Sequence, residues 1–454
     1  MKQRVEDFIK ARPQMSRKFD FQGTFEDFTL DIAKSIKPQK ERNLMRESVL
    51  NIVERILGEK IPRHRLEKQL SEYHIVSYAD HHGLLNYKLL YNSNLLYTEI
   101  MKSLNLPYAV VFATGNIPLK NTSYPRGFYF KNQRFNFFKN KERHIPVNLL
   151  TTKIQVDKNS GIESLILNIN DEQLSYEEKN FLEFLFFEAL EIETASQDYD
   201  SFSDQITFLN YKLWKYYFDN SIRESIPDIL YLQSNQIVLS LLLNDLEKES
   251  SLISMILFEP TAREIFINNF EGIQGCWGDN MGSVFFWGIS EKKKNIPLRF
   301  DTMSNSLVGQ DICIKMEKDT VIDALQRKTI TPTLFMDFLL ITFIEGNLAL
   351  GGFNQIEFLT QMKNAHVKSL REIGLNDMAE LFESRITDGL VCGLFPSHFD
   401  SGIDLIWEHN SRNGKFNGNL DHGLTQIELN DILDMKVKYM ILTAVETMLE
   451  NVSD

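Results

Sequence analysis

Two polar turns in the first third of the chain carry side chains capable of chemistry. The apolar run Ile75-Val76-Ser77-Tyr78-Ala79 delivers Asp80-His81-His82-Gly83, and the run Tyr108-Ala109-Val110-Val111-Phe112-Ala113 delivers Thr114-Gly115-Asn116. The segment Ser123-Tyr124-Pro125-Arg126-Gly127 follows the second turn. An imidazole can act as general acid or base, as a metal ligand, or as a donor to phosphate oxygens. His81 and His82 are therefore the candidate catalytic residues. Asp80, Asn86, Thr114, Asn116, Tyr124 and Asn354 are candidate substrate-binding groups. Arg126, presented between Pro125 and Gly127, is suited to grip a carboxylate or phosphate through paired hydrogen bonds. Gly83 lets a ligand approach the start of the following helix. Gly351 and Gly352, after the apolar run Leu348-Ala349-Leu350, allow close backbone approach, and all three glycines are candidate cofactor-binding positions. Each group has a plainer alternative: imidazoles capping a helix, a surface salt bridge at Arg126, or tight packing at the glycine pair.

No metal site is assigned. Adjacent histidines in a strand point to opposite faces, so His81 and His82 do not converge on one ion unless they sit in a turn. The chain has no HExxH pattern and no third ligand at metal spacing. Cys276, Cys313 and Cys392 form no CxxC pair, and Cys276 and Cys392 have no local His partner. Nor is there a GxSxG, Walker A, kinase or Rossmann fingerprint.

The elements that must position these groups follow from periodicity. Two strand-like runs around a helical pattern at Tyr87 to Leu104 predict a βαβ unit, with the strands parallel and adjacent. Such units hold ligands at the carboxyl ends of their strands. Residues 1–70 read as a helical N-terminal region, with a helix at Leu44 to Leu57 stopped by Gly58. Residues 71–150 read as the first part of a core and 151–270 as a helical insertion, in which Ser175 opens a helix. Residues 271–364 read as the second part of the core, and 365–454 as a helical C-terminal region closing on one helix from Ile427 to Glu450. Thr331-Pro332-Thr333 reads as a helix start. The fold class is α/β: a Rossmann-like parallel sheet with large helical insertions and helical terminal regions.

With 454 residues, 43% hydrophobic, and 33 Phe, the chain can bury a large core. Its formal net charge of −13 opposes non-specific nucleic-acid binding, which depends on Lys and Arg neutralising phosphates. The apolar run Leu334 to Ile344 is interrupted by Asp337 and is too short to span a bilayer. A cytoplasmic protein is expected, with a small-molecule partner, no nucleic acid and no membrane. A homodimer is left open.

Two segments carry a resemblance. Ala79-Asp80-His81-His82-Gly83-Leu84-Leu85-Asn86-Tyr87-Lys88-Leu89-Leu90-Tyr91 and Leu348-Ala349-Leu350-Gly351-Gly352-Phe353-Asn354-Gln355-Ile356-Glu357-Phe358-Leu359 resemble, in order and spacing, segments of the cysteine-adding ligase family of bacillithiol biosynthesis. The resemblance covers about a fifth of the chain. The resemblance implies a core related to class I nucleotidyltransferases, with the first segment at a phosphate-binding turn. His81 and His82 stand where the family has glutamines, and Thr114-Gly115-Asn116 replaces its acidic, His-containing motif. The cysteine substrate is therefore not carried over. What is implied is a nucleotide-binding biosynthetic ligase that condenses an amino acid or other carboxylate with an amine or hydroxyl, with the need for ATP left open. A metal-dependent enzyme using His81 and His82, and a non-catalytic binding or scaffold protein on an enzyme-like core, are the alternatives.

Overall fold

The apolar runs become the strands of one parallel sheet. The structure, a computed structural model, describes residues 2–36, 44–120, 127–139, 141–166, 174–248, 250–394 and 399–451. Strands β1 (Ile75–Ser77), β2 (Tyr108–Ala113), β3 (Asp228–Gln233), β4 (Leu348–Gly352) and β5 (Leu390–Cys392) lie in the order β5-β4-β1-β2-β3. Every neighbouring pair is parallel. The expected pairing holds: Ser77 lies opposite Val111, and a further bridge joins His81 to Thr114. All residues of β1 and β2 are buried, as both faces of a parallel sheet require.

The chain runs from β1 outward through β2 to β3, then returns to place β4 on the other side of β1. That reversal opens a crevice at the carboxyl ends of β1 and β4, where open α/β sheets bind ligands. Helices α1 (Lys88–Ser103) and α4 (Phe353–Glu372) line it, while α2 (Phe202–Tyr216), α3 (Ser234–Glu247) and α5 (Gly402–Asn410) lie elsewhere in the fold. Helix α1 packs on both β2 and β5, so it lies across the strands between them.

Several local expectations hold for the reasons given. A helix spans Met45–Leu57 and stops at Gly58, whose φ of 54° suits a residue without a side chain. Asn105, at φ 55°, follows the end of α1. Ser175 and Glu178 form a reciprocal capping box. Others need correction. Strand β3 lies within residues 151–270, which read as helical, because Ile229 to Leu232 run into α3 with no intervening turn and show no distinguishing period. Strand β5, only three residues long, lies within the region read as helical beyond 365. Ile330–Pro332 is an edge strand against Phe286–Ile289, a position that tolerates a missing N–H, and the helix starts after it at Leu334. The closing helix is two, Gln426–Asp434 and Val437–Asn451. Its break is held by Phe25, whose N–H donates to Met435 at 2.7 Å.

Burial carries a cost at His366. His366, on α4, is fully buried, and neither ring nitrogen has a partner. The rings of Phe270, Phe335 and Phe343 surround it at centroid distances of 4.5, 5.4 and 4.6 Å. Burial pushes its pKa down to about 3, so it is neutral at physiological pH. An unsatisfied buried polar group costs roughly 1–3 kcal/mol. His366→Leu is therefore expected to raise the unfolding free energy by a similar amount, read from denaturant midpoints. A lower midpoint would show that the imidazole contributes more than its shape.

Candidate active site

The ladder between β1 and β2 continues past the strand ends. The Thr114 N–H donates to the Asp80 carbonyl at 2.8 Å, and the His82 N–H donates to the Thr114 carbonyl at 2.9 Å. This extended backbone sends adjacent side chains to opposite sides. His81 turns into the crevice, and His82 turns away from it.

The crevice is a cavity of about 440 Å³. Its apolar part includes Tyr78, Trp287, Phe338, Phe353 and Phe358. Its polar part brings together Asp80, His81, Thr114, Asn116, Asn354 and Gln355, with Gly352 and Cys392 beside them. A mainly apolar pocket with a few converging polar groups is the usual form of a small-molecule site. Gly352 and Asn354 thus meet the Asp80-His81 turn across more than 270 positions of sequence.

Asp80 is a strongly perturbed carboxyl on this wall. It is 1% exposed and receives Asn94 Nδ2 at 2.6 Å and Ser93 Oγ at 3.4 Å, both from α1. Burial pushes its carboxyl up to about 7, against the opposing hydrogen bonds of Asn94, Tyr231 and Ser93. A second buried carboxyl, Asp337, accepts from the Tyr78 hydroxyl at 2.7 Å and is likewise pushed up to about 7 by burial. The Cys392 thiol is driven up by burial and by Asp80, so it stays protonated and is not a thiolate nucleophile. Burial lowers His81 to about 3, so it faces the cavity as a neutral imidazole.

Helix α4 follows β4 without a loop. Gly352 is its N-cap, and no side chain caps it. Its first-turn N–H groups therefore open on the cavity beside the partnerless Nε2 of Gln355, which is 8% exposed. Gly351 serves this arrangement from beneath, because a Cβ there would lie 2.2 Å from the Gln355 side chain. An uncapped N-terminus and an amide donor together suit an anionic group. The first segment lacks this geometry, since α1 begins only at Lys88, well past the end of β1.

Four proposed residues do not line the cavity. His82 is 2% exposed, and its Nε2 lies 3.1 Å from the Ser203 carbonyl and 3.0 Å from its Oγ. Its ring stacks on Tyr231 at 5.7 Å, and burial lowers it to about 4. Asn86 is fully buried and spans Tyr129 O and the Ile403 N–H, each at 2.8 Å. Gly83 is used through its carbonyl, which accepts from Asn210 Nδ2 at 2.9 Å. Gly351 acts only through Gln355. Tyr124 and Arg126 lie outside the described residues. His82→Ala is accordingly expected to lower stability by roughly 1–3 kcal/mol, through the lost hydrogen bonds and stacking. It should leave ligand binding in the cavity within about twofold. A stable variant that no longer binds would return His82 to the site.

Asn116 is held from three sides. Its Nδ2 donates to Pro332 O at 2.8 Å, and its Oδ1 accepts from Asn148 at 2.8 Å and Thr331 at 3.2 Å. This knot separates the cavity from a second one, lined by Asn148, Thr331 and Pro332. Among the described residues no group of three His, Cys, Asp or Glu side chains could hold a metal ion, and no helix is long and apolar enough to cross a membrane. Sequence reading assigns Asp337 no role, although a lone carboxylate in the run Leu334 to Ile344 is an available signal. Gln355 stands out in the sequence only as one of the polar residues after the Gly351-Gly352 pair, and its place in the cavity follows from the strand-to-helix junction at Gly352. Comparison of the chain with protein-family models, with curated proteins and with solved structures gives no match, so the geometry of the crevice is what a functional reading has to rest on.

Proposed function

We propose that this chain is a small-molecule enzyme of ligase-like chemistry, joining an amino acid or other carboxylate to an amine or hydroxyl in the crevice between β1 and β4. The observation that carries the reading is Asp80, a carboxyl at about 7 on the wall of a cavity that also receives an uncapped helix N-terminus. A general base works best when its pKa lies near the working pH, and condensation needs one to take a proton from the attacking nucleophile. In this reading Asp80 is that base. The N-terminus of α4 and the Gln355 amide hold the carboxylate of the substrate, and the neutral His81 and Asn354 orient it. The aromatic wall takes the apolar body of the substrate. Joining a free carboxylate to an amine in water requires activation, so ATP belongs to the reading as a co-substrate.

The test incubates the full chain with ATP, Mg²⁺ and pools of amino acids and amines, and follows release of phosphate or pyrophosphate. Release that needs both pools, and that Gln355→Leu suppresses mainly through a raised KM for the carboxylate, is the expected result. Release independent of any carboxylate, or unaffected by Gln355→Leu, would remove the reading.

A further inference from the structure

The second cavity lies at the carboxyl ends of β2 and β3, on the far side of the Asn116 knot, and has a volume of about 560 Å³. Helix α3 starts there directly after β3. Gln233 stands at its N-cap, and no side chain caps it. The first turn carries Asn235, which is 6% exposed and lines the cavity. The orientation of its amide is fixed, because Oδ1 accepts the Gly115 N–H at 2.8 Å. The Nδ2 donor is thereby left buried without a partner. A buried N–H donor without an acceptor is costly, and a ligand acceptor is what would satisfy it.

The charge around the cavity has the matching sign. Lys293, Arg327 and Lys328 line it, against the single carboxylate of Asp200, which is fully exposed. Arg327 shares its charge with Asp323 at 2.8 Å, and Lys293 reaches Thr151 Oγ1 at 3.1 Å, so Lys328 and Lys293 are the lysines that can turn to an anion. In a chain of formal charge −13, three cations at one cavity mouth run against the overall balance. An uncapped helix start, a donor with no protein acceptor and a cationic rim together form a cradle for a tetrahedral oxyanion.

We propose that this second cavity binds the phosphoryl group of a small molecule, with the α3 N-terminus and Asn235 Nδ2 as buried donors and Lys293 and Lys328 as the rim. The cavity is larger than free phosphate needs, which leaves room for an organic remainder. The proposal does not depend on the assignment of Asp80 and Gln355 in the first cavity.

Asn235→Asp is the discriminating variant. It keeps the acceptor for Gly115 and the side-chain shape, but it replaces the free donor by a carboxylate oxygen. An acid in the first turn of a helix favours the helix, so folding stability should not fall. Titration calorimetry on the full chain with inorganic phosphate, with glycerol phosphate and with acetate supplies the readout. Both phosphoryl probes should bind, and acetate should bind at least tenfold more weakly. Asn235→Asp should weaken the phosphoryl probes at least tenfold with an unchanged melting temperature, and the Lys293→Ala, Lys328→Ala double variant should weaken them and flatten the salt dependence. Tighter glycerol phosphate identifies an ester as the ligand, and tighter inorganic phosphate identifies the free ion. Gln355→Leu in the first cavity should leave all these values in place. Acetate binding as well as phosphate, or Asn235→Asp binding like the parent, would overturn the proposal.

Discussion

Asp80→Asn should lower turnover by roughly 10²–10⁴-fold, the usual contribution of a general base. The same change should raise stability at alkaline pH. The sign follows from the two ionisations. In the unfolded chain the carboxyl titrates at 3.8, and in the folded protein it titrates at about 7. Between these values the folded state keeps a proton that the unfolded state has lost, so rising pH favours unfolding. The penalty grows across that window and is complete above it. At about 1.4 kcal/mol per pH unit, it reaches on the order of 4 kcal/mol at pH 8. Asn carries no ionisable proton and is close in shape to the protonated acid. The variant should therefore match the parent near pH 4 and exceed it by several kcal/mol at pH 8. Asp337 contributes a parallel slope, but it is present in both proteins and cancels in the comparison. Paired denaturant titrations at pH 4, 6 and 8 measure the effect without a substrate. A difference that does not change with pH would mean that the carboxyl is not held neutral, and the base assignment would lose its footing.

Asn86→Ala has the largest expected effect on folding. The Asn86 side chain ties the turn after β1 to the hairpin Gly127–Phe130 with Gln133–Asn136 through Tyr129 O, and to the start of α5 through the Ile403 N–H. Truncation removes the partner of a part-buried carbonyl and of a buried N–H, at roughly 1–3 kcal/mol each. The expected loss is about 2–5 kcal/mol, a large share of the stability of an ordinary domain. Asn86→Asp should fall between the two, because it keeps the Ile403 bond and turns an oxygen toward the Tyr129 carbonyl. Chemical denaturation of the three proteins gives the order. An alanine variant that unfolds like the parent would instead favour the substrate-binding role first considered for this residue.

The contrast between Asp80 and Asn86 shows how far residue type alone can be read. Both stand in one short polar turn, and both are chemically able. Asp80 lines the cavity with its carboxyl held by Asn94 and Ser93 of α1, and Asn86 faces inward because two later segments close over it. His81 and His82 divide in the same way: the period of two in extended backbone was legible, but the direction of each ring required the position of Ser203 on α2. The free amides of Gln355 and Asn235 had no signal beyond their place at helix starts, since whether a donor finds an acceptor depends on the packing around it.

The sequence by itself determined the local elements and the chemistry on offer. Apolar runs of strand length around a helical period made β1, α1 and β2, and steric punctuation at Gly58, Asn105 and Ser175 placed helix ends where φ or a capping hydroxyl demanded them. These are near-neighbour effects, and near neighbours are what a sequence displays. Only the tertiary structure decided the strand order, the reversal that puts β4 beside β1, and the recruitment of β3 and β5 from stretches that read as helical. It also decided which polar groups were desolvated. The pKa of Asp80 is set by how completely water is excluded from it, and that exclusion is assembled from α1, β3 and β5, segments up to about three hundred residues away. Long-range packing fixes the dielectric surroundings of a side chain, and so it fixes whether a carboxyl is a surface charge or a base.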